Sequence, residues 1–259
     1  MQVRCVASRT AVAGFSLVEM AIVLVIAGIL MLTLMSALST QVEQRNFDDT
    51  RRRLEQAREL VLSFAIVNGR LPCPATATSL GDESPAGGGG GAACTTYYGG
   101  WLPARAIGYQ QTDASGYALD AWGNRIRYAV SNTTWGTTRF TKRHSSSPIT
   151  DAWLVTNTPT DLVICGSATG IAAASCNTAP NVTNQNVAIA IIFSTGKNGA
   201  PTPCATCLDE RANTFVVDPV FVFHTPTPSG AANGEFDDQF TWIAVGELYG
   251  KLIAAGVLP

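Results

Sequence analysis

The sequence contains little charge. Only 14% of its 259 residues are Asp, Glu, Lys or Arg, and the formal net charge is −2. With a pI near 5.7, the chain lacks the basic excess that is typical of nucleic-acid-binding surfaces. Histidine is also scarce, since His144 and His224 are the two copies, and their spacing implies no carboxylate partner for a catalytic triad. We therefore expect no nucleic-acid partner.

Two short segments approach catalytic motifs without completing them. The segment Gly14-Phe15-Ser16-Leu17-Val18 lacks the last glycine of the Gly-x-Ser-x-Gly nucleophile motif. Gly196-Lys197 is preceded by Ile191 where a phosphate-binding loop has its first glycine, and it is followed by Asn198 instead of Ser or Thr. The sequence thus predicts neither an enzyme nor a bound cofactor.

Charge is completely absent from Met20 to Val42. A helix over this run, at ~1.5 Å per residue, would cross the ~30 Å hydrocarbon core of a membrane. In a secretory signal peptide the small-residue cleavage site follows such a run, whereas the Ala11-Val12-Ala13 segment precedes it here. This order predicts a short leader that is cut on the cytoplasmic side and a hydrophobic helix that is kept.

Glu19 lies directly before the uncharged run. A carboxylate at the centre of a membrane helix costs ~2.5–3.5 kcal/mol, and less near the interface, so such residues usually have a partner. If the chain is cut after Gly14, the new ammonium group of Phe15 lies within about one helical turn of Glu19, on the same chain or a neighbouring one. An uncut signal-anchor with an interfacial glutamate is the alternative.

The segment from Gly14 to Met20, Gly-Phe-Ser-Leu-Val-Glu-Met, followed by the apolar run, resembles the cleavage and methylation motif of type IV pilins and type II secretion pseudopilins. The resemblance implies that a prepilin peptidase cuts after Gly14, that Phe15 becomes the N-methylated first residue, and that Glu19 governs docking into a filament. Family members often have a proline in the membrane helix. This chain has none there, and Gly28 is the weak point for helix propensity.

The resemblance also implies a location. It predicts a Gram-negative inner-membrane protein that crosses the membrane once, with its leader in the cytoplasm and its head in the periplasm, before it reaches a filament or the cell surface. The expected partners are the prepilin peptidase, other pilin or pseudopilin subunits and the inner membrane.

An amphipathic pattern replaces the apolar run after Val42. Apolar residues recur at three- and four-residue spacings, as on one face of a helix: Leu54, Ala57, Val61, Phe64 and Ala65. Asn68-Gly69 and Pro72 are helix-stop signals, so the sequence predicts one helix from Phe15 to Asn68. The predicted organisation is a leader (1–14), a transmembrane half-helix (15–42), an amphipathic half-helix (43–69) and an exported globular head (70–259).

The head is predicted to be rich in β-strands. Glycine-rich residues Gly81–Ala93 predict a mobile loop. Short β-prone runs, separated by turn residues, then follow: Ile126–Val130, Trp153–Thr156, Leu162–Cys165, Val187–Phe193 and Phe215–Val222. The spacing of Phe240, Ile243, Leu248 and Leu252 predicts a C-terminal helix over residues 239–255. The fold class is therefore α+β and pilin-like, with the long N-terminal helix packed on an antiparallel sheet.

Three head segments extend the resemblance. Residues 71–74 (Leu-Pro-Cys-Pro), 100–103 (Gly-Trp-Leu-Pro) and 120–124 (Asp-Ala-Trp-Gly-Asn) are similar to segments of large pilin-like proteins of Gram-negative bacteria. The last is also similar to the start of the sheet in major pseudopilins. Taken from the residues alone, it predicts a turn with a packed tryptophan.

Six cysteines remain after loss of Cys5 with the leader. They lie in the predicted exported region: Cys73, Cys94, Cys165, Cys176, Cys204 and Cys207. Six cysteines allow about 15 pairings, and proximity in sequence favours 73–94, 165–176 and 204–207. The first disulfide would contribute about 3 kcal/mol. For the Cys204–Cys207 segment a zinc site would need a second ligand pair, and a thioredoxin-like motif would need a preceding strand.

Asp237 and Asp238, after Asn233 and Glu235, form an oxygen-rich cluster. Calcium takes about six to eight oxygen ligands, and major pseudopilins carry a calcium site near their C-terminus, so the resemblance implies Asp237 and Asp238 as weak calcium candidates. The sequence favours a solvated loop that caps the last helix over a metal site.

Two functional classes remain. The chain is expected to be a structural filament subunit, a minor pilin or pseudopilin of a type IV pilus or type II secretion filament. The alternative is a membrane-tethered extracytoplasmic binding or adhesion protein outside any filament. Glu19 distinguishes them, because a plain tether does not need it.

Overall fold

The computed structural model describes residues 16–86, 93–135, 138–141, 160–199, 206–214 and 218–257. Within these ranges the fold is α+β and contains an antiparallel sheet. The chain divides into two compact units, Met1–Arg45 and Asn46–Pro259. We call the second of these the head unit.

The described residues form helices and strands in the following order. The helices are α1 (Leu17–Asn68), α2 (Ala104–Ile107), α3 (Leu208–Thr214) and α4 (Val245–Ala254). The strands are β1 (Gly100–Trp101), β2 (Arg127–Val130), β3 (Thr134–Trp135), β4 (Thr138–Arg139), β5 (Val163–Cys165), β6 (Ala188–Ser194), β7 (Val220–Val222) and β8 (Gln239–Ala244). A helix thus begins within two residues of the predicted start and ends at Asn68 as expected, whereas the membrane-crossing character predicted for its first half stays a prediction.

In the first unit, the described residues belong to α1 apart from Ser16. Large apolar side chains of this part are exposed around the helix: Leu17, Val18, Met20, Ile22, Val23, Leu24, Val25, Ile26, Ile29, Leu30, Met31 and Val42. Over the residues that the structure describes, no helix is both long and apolar enough to cross a membrane.

The head unit is built around a four-stranded antiparallel sheet in the order β1-β2-β6-β8. The predicted apolar stripe of α1 packs against one face of this sheet. Its buried members Leu54, Ala57, Val61 and Ala65 share a core with Tyr128, Val130, Ala190, Ile192 and Ile243. The apolar stripe predicted from helical spacing therefore packs against a sheet, as the sequence analysis expected.

The other face of the sheet is covered as well. There Ile191 and Phe193 of β6 share a second core with Ile164 of β5 and Phe221 of β7, and β5 and β7 pair in parallel. Because β6 is covered on both faces, all seven of its residues are buried, which explains its continuous apolar sequence.

Some of the predicted short strands are confirmed, and others lie wholly or partly outside the described residues. β2, β5 and β6 confirm three of the predicted strands within one residue at either end. β7 covers the last three residues of the run Phe215–Val222, and residues 215–217 lie outside the described residues. The predicted strand Trp153–Thr156 lies outside the described residues, as do residues 87–92 of the predicted glycine-rich loop.

The prediction of a C-terminal helix over residues 239–255 was wrong for its first six residues. Gln239–Ala244 form strand β8, which pairs with β6, and the helix begins only at Val245. Phe240 and Trp242 alternate along one face of the strand, with Thr241 and Ile243 on the other, so the segment fits a strand as well as a helix, and the ladder with β6 decides between the two.

The segment around Asp120 and Trp122 is a turn, as predicted, and it joins the sheet to α1. The buried Asp120 carboxylate accepts hydrogen bonds from the backbone N–H groups of Trp122 and Asn124 at 2.9 and 2.8 Å. Arg53 of α1 donates to the Asp120 carbonyl at 2.7 Å, and the Trp122 ring packs edge-on against Phe47. The turn therefore fixes the register of α1 on the sheet.

The head unit contains disulfides, and an ion pair lies beside the first of them in the loop after α1. Cys73–Cys94 and Cys165–Cys176 are confirmed; Cys207 is also disulfide-bonded, and its predicted partner Cys204 lies outside the described residues. Beside the first disulfide, the Arg70 guanidinium forms two hydrogen bonds with the Glu83 carboxylate at 2.6 and 2.7 Å. Their side chains are only 8% and 4% exposed.

Candidate functional site

Within the described residues, two groups of side chains are candidates for a functional site, and the first is the start of α1. Gly14 and Phe15, the predicted cleavage and methylation positions, lie outside the described residues. Glu19 is exposed in the first turn of α1. Its backbone N–H donates to the Ser16 hydroxyl at 3.2 Å, so Ser16 caps the helix.

This capping contact has a signal that the sequence analysis missed. A serine followed three residues later by a glutamate is the pattern of a capping box, and Ser16 and Glu19 have that spacing. The observed bond uses the Glu19 backbone N–H, and in a capping box the glutamate carboxylate also accepts from the N-cap N–H, so the spacing gives Glu19 a candidate local role besides its predicted role in docking. A test of docking must separate the two roles.

The second place is a cluster of buried carboxylates in the head unit. It consists of Glu210 on α3 and of Asp237 and Asp238, which lead into β8; we call it the carboxylate cluster. The three residues are 6%, 6% and 3% exposed, and ligating oxygens of all three lie within 4.8 Å of one another. The expectation that Asp237 and Asp238 form a solvated loop that caps the last helix is therefore wrong, because they are buried and precede a strand.

Neighbouring groups satisfy most oxygens of the carboxylate cluster. The Asn198 amide donates to both oxygens of Glu210 at 2.8 and 2.9 Å. Asp238 Oδ2 accepts from the Asn213 amide at 2.7 Å, and Asp237 Oδ2 accepts from the Lys197 backbone N–H at 2.8 Å. Asp237 Oδ1, however, is buried and accepts no hydrogen bond from the described residues.

A glycine leaves room for the Asp237 carboxylate. Gly196 has a φ of +64°, and a Cβ atom there would overlap Asp237 Oδ1. Only a glycine meets both the left-handed conformation and the close approach without strain. The backbone turn at Gly196, directly after β6, therefore leaves room for this oxygen.

Burial and mutual repulsion make the carboxylate cluster hard to ionise. Loss of water raises the pKa of Asp237 from 3.8 to about 6, and the charges of Glu210 and Glu235 add to the effect. Burial likewise raises the pKa of Glu210 and, more strongly, that of Asp238. The Arg127 guanidinium opposes the shift at Asp238. Without a further positive charge, the cluster is expected to hold protons near neutral pH.

The donor set of the carboxylate cluster fits a hard divalent cation such as calcium. Carboxylate and amide oxygens are the ligands that calcium prefers; three carboxylates converge here, and the free lone pairs of Asp237 Oδ1 are otherwise left unused. Glu210, Asp237 and Asp238 would hold the ion. A bound cation would neutralise their repulsion and tie α3 to the start of β8.

This cluster leads to a prediction about pH. In chelator-treated buffer, the free energy of unfolding is expected to fall by about 2 kcal/mol as the pH rises from about 4 to about 6. The sign follows from the raised pKa of Asp237: the folded state holds a proton that the unfolded state has already lost. Urea unfolding at several pH values measures the change. Asp237→Asn should reduce the slope to the part that Glu210 and Asp238, whose pKa values are also raised by burial, contribute with the same sign, and an equal slope in that variant would contradict the assignment.

Glu210 and Asn198 were missed in the sequence analysis. They are separated from Asp237 by 27 and 39 positions, and neither lies in a motif with metal-ligand spacing. The pairing of β6 with β8 brings Asn198 close to Asp237, and hydrogen bonds between Asn213 of α3 and Val222 of β7 hold Glu210 in its place beside them. No pattern that is local in the sequence could have identified them.

No protein-family model, curated protein or solved structure matches the chain. Its function is therefore inferred from its own residues.

Proposed function

We propose that the chain is a structural subunit, a minor pilin or pseudopilin, that a prepilin peptidase processes and that assembles into a type IV pilus or type II secretion filament through its N-terminal helix. The observation that carries the proposal is the order of Gly14, Phe15 and Glu19 before the uncharged run. In this proposal the subunit lies in the inner membrane before assembly, with its head in the periplasm. Its partners are the prepilin peptidase and other subunits.

The exposed side chains of α1 support this proposal. Between Leu17 and Met31 the large apolar residues are about half or more exposed, from 49% at Met20 to 90% at Leu17. Exposed apolar surface of this extent marks a site where another molecule binds. Helices of neighbouring subunits would cover it in a filament, because long apolar helices pack against one another in bundles.

The size of the head favours a minor subunit. The predicted head covers residues 70–259, which is large for a subunit that repeats along a whole filament. The tethered binding protein remains the competing function. It requires the helix as an anchor but does not require the carboxylate of Glu19.

Three variants test the role of Glu19. Glu19→Val and Glu19→Gln should each reduce incorporation into sheared filaments about tenfold or more, because both remove the charge that would pair with the Phe15 ammonium. The bond to the Ser16 hydroxyl comes from the backbone N–H of Glu19, so neither variant removes it, and Glu19→Gln also keeps the side-chain pattern of a capping box. Ser16→Ala removes the cap, at a cost of about 1 kcal/mol, and should leave incorporation nearly normal.

Quantitative immunoblots of filament and membrane fractions measure incorporation. Normal assembly of both Glu19 variants would favour the tethered binding protein. Loss of assembly in Ser16→Ala and Glu19→Val, but not in Glu19→Gln, would mean that Glu19 acts only at the helix start. Intact mass and N-terminal sequencing establish the processing: a methylated Phe15 is expected, and an uncut Met1 would contradict the proposal.

A further inference from the structure

Three asparagines of the chain directly precede a glycine, the sequence in which asparagine deamidates most readily. The pairs are Asn68-Gly69, Asn198-Gly199 and Asn233-Gly234. In this reaction the glycine nitrogen forms a bond to the asparagine Cγ, the amide group leaves as ammonia with the N–H proton, and water opens the resulting succinimide to aspartate or isoaspartate. A glycine has no Cβ to hinder the attack. The attack does require that the glycine N–H is not donated to another group.

Hydrogen bonds protect the first and the third of these pairs. The Gly69 N–H donates to the Ala65 carbonyl at 2.9 Å, at the end of α1, and the Gly234 N–H donates to the Ala231 carbonyl at 3.0 Å. The Asn233 amide is itself held by two side-chain hydrogen bonds. Both asparagines are only partly exposed. Deamidation at either position therefore requires local opening of the fold.

The pair Asn198-Gly199 lacks this protection. Asn198 is exposed to water, and the Gly199 N–H donates no hydrogen bond in the part of the chain that the structure describes. Gly199 has a φ of +64°, and a Cβ atom there would lie 2.5 Å from Asn124 Oδ1. Because this backbone turn requires a glycine, the fold itself places an unhindered nitrogen next to Asn198.

The group that would leave as ammonia belongs to the surroundings of the carboxylate cluster. The Asn198 amide nitrogen donates to both carboxylate oxygens of Glu210, at 2.8 and 2.9 Å. Either product of deamidation has a carboxylate at this position, and an ionised carboxylate can only accept hydrogen bonds. Glu210 would therefore lose two donors and gain a neighbour of like charge. Two carboxylates that share a site resist joint ionisation.

We propose that Asn198 is a site of spontaneous deamidation in the folded chain, and that the reaction adds a fourth carboxylate to the carboxylate cluster. The reaction needs water alone and releases ammonia, so it is irreversible and its extent records the age of the molecule. It is faster at higher pH, because the attacking glycine nitrogen must lose its proton. The site lies wholly in the head unit and does not depend on assembly of α1 into a filament.

The test follows the full-length, folded chain in detergent micelles at mildly alkaline pH over several weeks. Peptide mapping by mass spectrometry measures the exchange of NH2 for OH at each asparagine, and digestion in heavy-oxygen water marks any reaction during sample preparation. We expect position 198 to react about tenfold faster than positions 68 and 233, where the hydrogen bond of the glycine N–H must first break. In guanidinium chloride, which removes the fold, the three positions should react at similar rates.

Three variants of Asn198 complete the test. Asn198→Gln keeps an amide but would have to close a larger ring, so the mass change at this position should disappear. Asn198→Asp reproduces the main product, and Asn198→Ala removes the amide without adding a charge. In chelator-treated buffer at pH 7, Asn198→Asp should unfold at a lower urea concentration than Asn198→Ala, because only the aspartate repels Glu210. Circular dichroism confirms that each variant is folded.

Three results would overturn the proposal. The first is an equal rate at the three positions in the folded chain, which would show that the free N–H of Gly199 gives no advantage. The second is reaction at position 198 only after unfolding, which would show that the contact with Glu210 protects Asn198. The third is an equal urea midpoint for Asn198→Asp and Asn198→Ala, which would show that a carboxylate at this position does not join the carboxylate cluster.

Discussion

Arg70→Met is expected to lower the free energy of unfolding of the head unit by about 3–5 kcal/mol. The substitution leaves the Glu83 carboxylate, 4% exposed, without the cation that compensates its burial. Glu83 would keep only the hydrogen bond from the Cys73 N–H, at 3.1 Å. Urea unfolding monitored by tryptophan fluorescence, with the disulfides oxidised, measures the loss.

Two control variants test whether the loss of stability comes from the buried ion pair. Arg70→Met combined with Glu83→Leu should recover much of the stability, because a buried ion pair and a packed apolar pair are often similar in energy. Lys251→Met breaks an exposed pair with Glu59, whose side chains are 44% and 54% exposed, and should cost at most about 1 kcal/mol. If Arg70→Met cost no more than Lys251→Met, the buried pair would not be a major source of stability.

Calcium is expected to raise the free energy of unfolding at pH 7 by about 3–4 kcal/mol when present at a hundred to a thousand times its dissociation constant. The reason is that it binds the folded carboxylate cluster, where Glu210, Asp237 and Asp238 converge, and finds no such site in the unfolded chain. The effect should weaken towards pH 5, because protons compete for the same oxygens. Thermal unfolding with calcium and with a chelator measures it.

Asp237→Asn provides the matched control for calcium. The variant keeps the size of the side chain and removes one charge, so it should lose most of the calcium effect while gaining stability in chelator. Magnesium should stabilise the wild-type chain less, since it demands octahedral geometry and gives up its water reluctantly. A calcium response of equal size in the variant would show that the ion binds elsewhere.

The sequence analysis succeeded where the physical signal is local. The three- and four-residue spacing of Leu54, Ala57 and Val61 is a property of one helix, and these residues are buried against the sheet. Disulfides between cysteines that are near in sequence were also found, because a short loop brings its ends together readily. Cys165 and Cys176, eleven positions apart, are an example.

The sequence analysis failed where contacts between distant segments determine the structure. Phe240 and Ile243 fit a helix as well as a strand, and the choice depends on β6, some fifty positions earlier. Glu210 reaches Asp237 because α3 packs against β7, a contact between segments distant in sequence, so the carboxylate cluster could be predicted only in part. Three polar residues of α3 are buried: Asp209, Glu210 and Asn213. Such residues are usually exposed, and their burial is explained only by hydrogen-bond partners that the sequence alone does not identify.

Two arginines of α1 determine where a pulling force on this helix would act on the rest of the head unit. Arg53 bonds to the Asp120 carbonyl before β2, and Arg58 bonds to the Trp242 carbonyl in β8, while β2 and β8 flank β6 on its two sides. A force along the axis of α1 would therefore act on the sheet through two attachments, one at the turn that precedes β2 and one in β8, on opposite sides of β6.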